Sequence, residues 1–111
     1  MRFLSLLIVP MLACGDKQAA PACEVVGTKF LLLAKLDLEQ TRVDATTARM
    51  VMDQLPAMRD SLVNACKESK WEAGVRTCMA DAPDHLTFES CERALTPAQR
   101  DALERGGSDE R

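Results

Sequence analysis

Five cysteines in a chain of 111 residues carry most of the chemistry that this sequence offers. Structural zinc sites usually contain a closely spaced C-x-x-C-type pair, and thiol–disulfide enzymes use the same short spacing. Here the cysteines lie much further apart, and they are Cys14, Cys23, Cys66, Cys78 and Cys91. We therefore expect no metal site and no cofactor, and we expect these thiols to serve as covalent attachment points.

The remaining side chains that could catalyse a reaction are few. His85 is the one histidine of the sequence, and it follows Asp84 at a predicted helix start, which is normally a solvated position. The acidic group formed by Asp81, Asp84 and Glu89 lacks the spacing and the glycine of a calcium loop. Carboxylates near helix N-termini favour a structural role. The sequence predicts a protein that is not an enzyme.

Residues 1–13, MRFLSLLIVPMLA, have the layout of an export signal. Arg2 supplies the positive charge, and residues 3–12 form an apolar stretch that is too short to span a bilayer as a helix. The same residues are compatible with an ordinary secretory signal followed by a structural cysteine, or with a cytosolic N-terminal helix.

The segment Met11-Leu12-Ala13-Cys14 resembles the lipobox of bacterial lipoproteins, in which small residues precede the cysteine that becomes the first mature residue. The resemblance implies cleavage before Cys14, a diacylglyceryl thioether on its sulfur and acylation, as with palmitate, of the new amino group. Several acyl chains give stable anchoring. It also implies a periplasm-facing bacterial membrane, and Gly15 after the cysteine favours the outer membrane over the inner one.

If Cys14 carries lipid, four cysteines remain, and an even number in a small exported domain predicts two disulfides. Four cysteines allow three pairings. Residues level with each other in a helical hairpin lie equally far from its turn. The pairs Cys23–Cys66 and Cys78–Cys91 have their midpoints just after Asp44 and Asp84, and both of these residues are suited to N-cap a new helix. We favour this pairing.

The composition predicts an all-α fold, a small helical bundle of four to five helices stapled by two disulfides. Residues with straight side chains and alanine dominate, and no strand-like alternation is seen. The expected organisation is a signal peptide over 1–13, a lipidated N-terminus and tether over 14–22, and a disulfide-stapled helical domain over 23–105. The pair Gly106-Gly107 is expected to end the last helix, which leaves a disordered tail over 106–111.

Several local features refine this plan. The first helix is apolar nearly all round, from Val26 to Leu36, which is typical of the most buried member of a bundle. The segment 37–47 holds either a turn or the middle of one long curved helix. Pro56 either kinks a helix or lies in the first turn of a new one. Capping boxes are predicted at 69–72 and 96–99, and the face of a short helix is expected to include Leu86.

A net charge of −3 argues against nucleic-acid binding, which usually shows a basic surplus. The distal half, C-x4-W-x6-C-x12-C-x3-L-T-P-x-Q, resembles small cysteine-containing helical lipoproteins with no assigned activity. In size, lipidation and helical content the chain is also similar to pilotins, lipoproteins that escort secretin subunits to the outer membrane. We expect a non-enzymatic envelope lipoprotein that binds another envelope protein as an assembly or accessory factor.

The alternative function is binding of a small ligand or lipid in an apolar cavity lined from Phe30 to Leu36. Trp71 could line a ligand groove together with Met58 and Met79, because methionine packs adaptably. We favour the interpretation that these three side chains fill the core.

Overall fold

The structure is a computed structural model that describes residues 20–109, with side chains described as far as Arg105. The signal segment, Cys14 and most of the tether lie outside the described residues. Within 20–109 the fold is all-α, as predicted, with a 3₁₀ turn at Cys91–Ala94 and no strand. Its helices are α1 (Cys23–Thr41), α2 (Ala45–Glu68), α3 (Ala73–Asp81), α4 (His85–Ser90) and α5 (Pro97–Asp109).

Helices α1 and α2 form a hairpin whose turn lies where the weak helical pattern allowed one. The residue that caps the end of α1 is Arg42, which adopts a left-handed conformation with φ of 58°. Asp44 has an extended backbone just before α2. The disulfide Cys23–Cys66 joins the open end of the hairpin, with a Cα–Cα distance of 5.8 Å. In the chain-entropy model, closing a loop of this length stabilises the fold by about 4 kcal/mol.

Both predicted disulfides are present. Cys78–Cys91 connects α3 to the 3₁₀ turn, with a Cα–Cα distance of 5.9 Å. Its two residues differ in environment, because Cys91 is buried and Cys78 is exposed. Met79, the residue after Cys78, is fully buried and packs in the core with Trp71, Val75 and Ala82.

Helix α2 contains Pro56 in its interior, so this proline does not begin a new helix. The side chain is exposed, as expected for a residue on the outer surface of a continuous helix. A proline in this position removes one backbone hydrogen bond of the helix.

The capping box predicted at Ser69 is wrong, because these residues end α2 instead of starting α3. Lys70 is left-handed, with φ of 53°, and its N–H donates to Lys67 O. The N–H of Trp71 donates to Cys66 O at 3.1 Å. These two bonds form a Schellman motif, in which an apolar residue following the turn packs back against the helix. Trp71 is buried, and α3 begins at Ala73.

Of the three other predicted helix starts, Asp84 and Thr96 have the expected side-chain caps, whereas Asp44 precedes α2 without a side-chain capping bond. The Asp84 carboxylate accepts a hydrogen bond from Thr87 N–H at 2.7 Å. At α5, Gln99 N–H donates to Thr96 Oγ1 at 3.0 Å, and Thr96 N–H donates to Gln99 Oε1 at 2.9 Å. This reciprocal pair is the predicted capping box.

The end of α5 was predicted wrongly. The helix continues through Gly106-Gly107 to Asp109, so residues 106–109 belong to α5 and not to a disordered tail. Glycine weakens a helix by about 1 kcal/mol per residue but does not force it to end.

The core lies between the α1–α2 hairpin and the shorter helices. Its buried apolar residues are Val26, Phe30, Leu33, Leu55, Leu62, Val63, Ala65, Cys66, Trp71, Val75, Met79, Ala82, Phe88, Cys91 and Leu95. Leu86 is not among them, since 78% of it is exposed, which contradicts the predicted face of the short helix. Helix α1 also departs from the expectation of full burial, because Val25, Leu32 and Leu36 are exposed.

Candidate functional site

Three of the four polar residues considered for chemistry, His85, Glu89 and Asp84, have structural partners within the described residues. His85 Nε2 lies 3.1 Å from Glu89 Oε2, one turn along α4. Asp84 caps the same helix, and its hydrogen bond from Thr87 N–H holds the pKa of the carboxyl below its ordinary value. Asp81 is exposed at the end of α3. Within residues 20–109, no group of three histidine, cysteine or acidic residues could hold a metal ion.

Trp71 and Met79 fill the core, as favoured by the sequence. Met58 does not join them, because 46% of it is exposed on α2. Its side chain lines a cleft on another side of the bundle. The three residues therefore do not form one ligand groove.

The exposed apolar side chains of α1 form a continuous line along the helix. Val25, Leu32 and Leu36 are separated by seven and four residues, a spacing that places them on one face. Lys29 lies on the same face, and its aliphatic stem can cover apolar surface while the charge stays in water. We call these four residues the α1 stripe. It is a largely apolar helix face that no other element of the described residues covers.

Two shallow grooves border the α1 stripe. The first has a volume of about 390 Å³, and it is lined by Glu24, Val25, Thr28, Lys29, Leu32 and Ala80. The second has a volume of about 200 Å³ and lies between the end of α1 and α4. Leu36 and the exposed Leu86 both line it. The first groove, over α1 and α3, is largely apolar, whereas the second, over α1 and α4, is lined by polar and apolar residues alike.

A third concave surface lies on the other side of α1, between α1, α2 and α5. This inner cleft has a volume of about 190 Å³, and its lining residues are Phe30, Met58, Ser61, Leu62, Glu92 and Leu103. Ser61 is only 6% exposed, and its hydroxyl has no hydrogen-bond partner among the described residues. Burial, reinforced by repulsion from Glu89, raises the pKa of Glu92.

The predicted cavity lined from Phe30 to Leu36 is thus divided among three separate surfaces. Phe30 lines the inner cleft, Leu32 the first groove, and Leu33 and Leu36 the second. Successive residues of a helix point in directions 100° apart, so a run of seven cannot face one cavity. Sequence reasoning missed Ser61 and Glu92, because they lie on α2 and on the 3₁₀ turn and only tertiary packing places both at one cleft.

The chain enters the domain at a fixed point beside the α1 stripe. Arg76 of α3 donates from Nη1 to Pro21 O at 2.8 Å and from Nε to Trp71 O at 3.2 Å. An ion pair between Glu24 and Lys67 joins the first turn of α1 to the last turn of α2, and its hydrogen bond lowers the pKa of Glu24. The end of the predicted tether is therefore held against the bundle.

None of the helices within residues 20–109 combines the length and apolarity needed to cross a bilayer. Comparisons of the chain with protein-family models, with curated proteins and with solved structures gave no match. Its function must therefore be argued from its own residues.

Proposed function

We propose that this protein is a bacterial envelope lipoprotein, cleaved before Cys14 and anchored by lipid on that cysteine. The lipobox-like segment 11–14 carries this proposal. The cysteine count supports it, because each of the four cysteines within residues 20–109 is disulfide-bonded. Disulfides are the normal state of cysteines in exported domains. We place the anchor in a periplasm-facing membrane, with the outer membrane favoured.

In this envelope lipoprotein the helical domain binds another protein as a non-enzymatic assembly or accessory factor. The observation that carries this role is the α1 stripe, an uncovered apolar helix face bordered by two grooves. Contiguous apolar surface of this kind is characteristic of protein interaction sites. Helices presented by a partner commonly bind in grooves of this type.

The position of the tether agrees with a partner in or near the membrane. Pro21 lies seven positions after Cys14, and an extended chain of that length reaches at most about 25 Å. Arg76 holds Pro21 next to the first turn of α1, where Val25 begins the stripe. The lipid would therefore keep the first groove within a short distance of the bilayer.

The protein-binding role is tested by photocrosslinking in intact envelopes. A photoreactive amino acid at position 32, which is 53% exposed in the α1 stripe, should give one defined crosslinked product. The matched control is position 50, which is 57% exposed on α2 and lines neither groove. Leu32→Arg should lower recovery of the crosslinked partner about tenfold in affinity capture, since interface energy is concentrated in few apolar anchors. Met50→Arg should leave recovery unchanged.

Equal crosslinking at positions 32 and 50 would contradict the assignment of the interface. The assignment would also be contradicted if Leu32→Arg left recovery of the partner unchanged while the variant remained folded and membrane-bound. The far-UV circular dichroism of both variants serves as the check on folding.

A further inference from the structure

The α1 stripe has the spacing of a seam between two helices. Its members Val25, Lys29, Leu32 and Leu36 are separated by four, three and four residues. This alternation is the one by which a helix packs lengthwise along another helix. Because the three apolar members are exposed, no second helix of the described residues occupies the seam.

A protruding apolar side chain lies beside the C-terminal end of this seam. Leu86 of α4 is 78% exposed, the largest fraction among the large apolar side chains of the described residues. It lines the second groove together with Leu36 and Asp37. The first groove, which is concave and largely apolar, lies about two helical turns earlier along α1, at Val25 and Leu32. One end of the stripe therefore carries an apolar projection, and the other end an apolar depression.

The two grooves also carry opposite charges. Lys29 lines the first groove, where the second charged group, Glu24, is already paired with Lys67. The carboxylates of Asp37 and Asp84 line the second groove. Neither Lys29 nor Asp37 forms an ion pair among the residues whose side chains are described. The first groove thus offers a free positive charge, and the second groove a free negative one.

A second copy of the chain, turned end for end, matches both features. In an antiparallel pair of α1 helices that cross near Leu32, positions about equally far from the crossing lie opposite each other. The second groove of each copy then meets the first groove of the other, which brings Leu86 to an apolar depression and Asp37 to Lys29. A parallel pair would instead place Lys29 opposite Lys29 and Asp37 opposite Asp37, and such like-charge contacts disfavour association.

We propose that two copies of this chain associate through the α1 stripe as an antiparallel, two-fold symmetric dimer. Leu86 of each copy sits in the first groove of the other, and Lys29 of each copy pairs with Asp37 of the other. The inference rests on the proposed function in taking the α1 stripe as a protein-binding surface, and a partner protein binds there by displacing the second copy. A bilayer is a poorer occupant, because Asp37 and Asp84 would then face the lipid.

The test uses the mature chain, residues 14–111, with Cys14→Ser so that no lipid or detergent is present. It is exported behind a cleavable secretory signal so that both disulfides form. Sedimentation equilibrium gives its mass in solution at a fixed, physiological ionic strength. A contact along one helix face is small for a specific interface, so we expect the mass to rise from one chain to two between about 1 μM and about 1 mM. A mass of one chain over this whole range would overturn the proposal.

Leu86→Arg should weaken dimerisation at least about tenfold, because it removes the apolar anchor from the groove of the other copy. Met50→Arg is the matched control, since position 50 is 57% exposed on α2 and lines neither groove. It should leave the dissociation constant unchanged. An equal effect of the two substitutions, or none from Leu86→Arg, would contradict the seating of Leu86.

A charge exchange tests the antiparallel arrangement itself. Lys29→Glu and Asp37→Lys should each weaken the dimer several-fold, because each places like charges opposite one another. The double variant should regain the wild-type affinity, since both symmetric contacts again join opposite charges. Asp53→Lys makes the same change in net charge at an exposed position of α2 and should leave the affinity unaltered. A double variant as weak as the single variants, with its circular dichroism intact, would overturn the pairing.

Failure of the dimer is distinguishable from failure of the proposed function. A purified chain that stays monomeric, with position 32 crosslinking to a different protein in envelopes, would overturn the dimer and leave the proposed function standing. A crosslinked product of twice the chain mass and no other would support the dimer and contradict a separate partner.

Discussion

The same substitution, glycine to alanine, should have opposite effects at two positions of this bundle. Gly27 of α1 packs tightly against α2, since a Cβ atom there would lie 2.5 Å from Val63 Cγ2 and 3.2 Å from Arg59 Cγ. Gly74 lies in the first turn of α3, and a Cβ atom there would meet nothing within 4 Å. Both residues are helical, so neither is required for a positive φ.

The magnitudes follow from two opposing terms. Alanine is favoured over glycine in a helix interior by about 1 kcal/mol. At Gly27 this gain is opposed by overpacking, which costs about 1–3 kcal/mol in a close-packed interior. Val63 is buried and β-branched, so it cannot rotate away easily, whereas the Arg59 side chain is flexible. We expect Gly27→Ala to destabilise the fold by about 1 kcal/mol and Gly74→Ala to stabilise it by about 0.5 kcal/mol.

Urea unfolding of the oxidised, unlipidated mature chain measures both effects. A double-mutant cycle of Gly27→Ala with Val63→Ala isolates the steric contact, because the smaller side chain removes the clash. The double variant should be more stable than the sum of the two single effects predicts, by about 1 kcal/mol. If Gly27→Ala proves as stabilising as Gly74→Ala, or if the cycle shows no coupling, the close approach of α1 to α2 would be refuted.

Three further predictions concern pH and helix capping. Burial raises the pKa of Glu92, so the ionised carboxylate destabilises the fold at neutral pH, and this effect disappears as the pH falls through the raised pKa. Glu92→Gln should therefore be more stable than the wild type in urea at pH 7, and a difference that persists undiminished at pH 4 would argue against the buried carboxylate. The Asp84 carboxyl has a lowered pKa because it accepts from Thr87 N–H, so its contribution is present at neutral pH and is lost as the pH falls through that pKa. Asp84→Asn keeps the acceptor without the charge, and acid titration of thermal stability should show the wild-type advantage vanishing at low pH; a constant advantage would exclude the charge as its cause. Thr96→Ala removes the bond from Gln99 N–H and should destabilise the protein by about 1 kcal/mol in urea, while no change would mean that α5 is held by its packing alone.

The features that could be predicted from sequence are those determined by a few neighbouring residues. The Asp84 cap and the Thr96 capping box each depend on one side chain and one N–H three residues away. The disulfide pairing could be ranked because residues level in a hairpin lie equally far from its turn. This ranking required only the positions of the two turns. Those positions could be recognised from the aspartates suited to N-cap the helix that follows each turn.

The sequence-based predictions were wrong where a local motif competed with tertiary packing. Ser69 begins a sequence that fits a capping box, but burial of Trp71 favours a Schellman ending of α2 over a new helix start. Leu86 fits an apolar spacing on a helix too short to bury two faces, and it remains exposed. The inner cleft was not predictable, because Ser61 of α2 and Glu92 of the 3₁₀ turn are 31 residues apart and line one cleft only through tertiary packing.

The most direct test of the proposed lipoprotein is its intact mass after extraction from membranes, measured before and after reduction and alkylation. Our account predicts a chain that begins at Cys14 and carries acyl mass, with four alkylated thiols that appear only after reduction. A full-length, unlipidated chain with five free thiols would contradict the export, the anchor and both disulfides together.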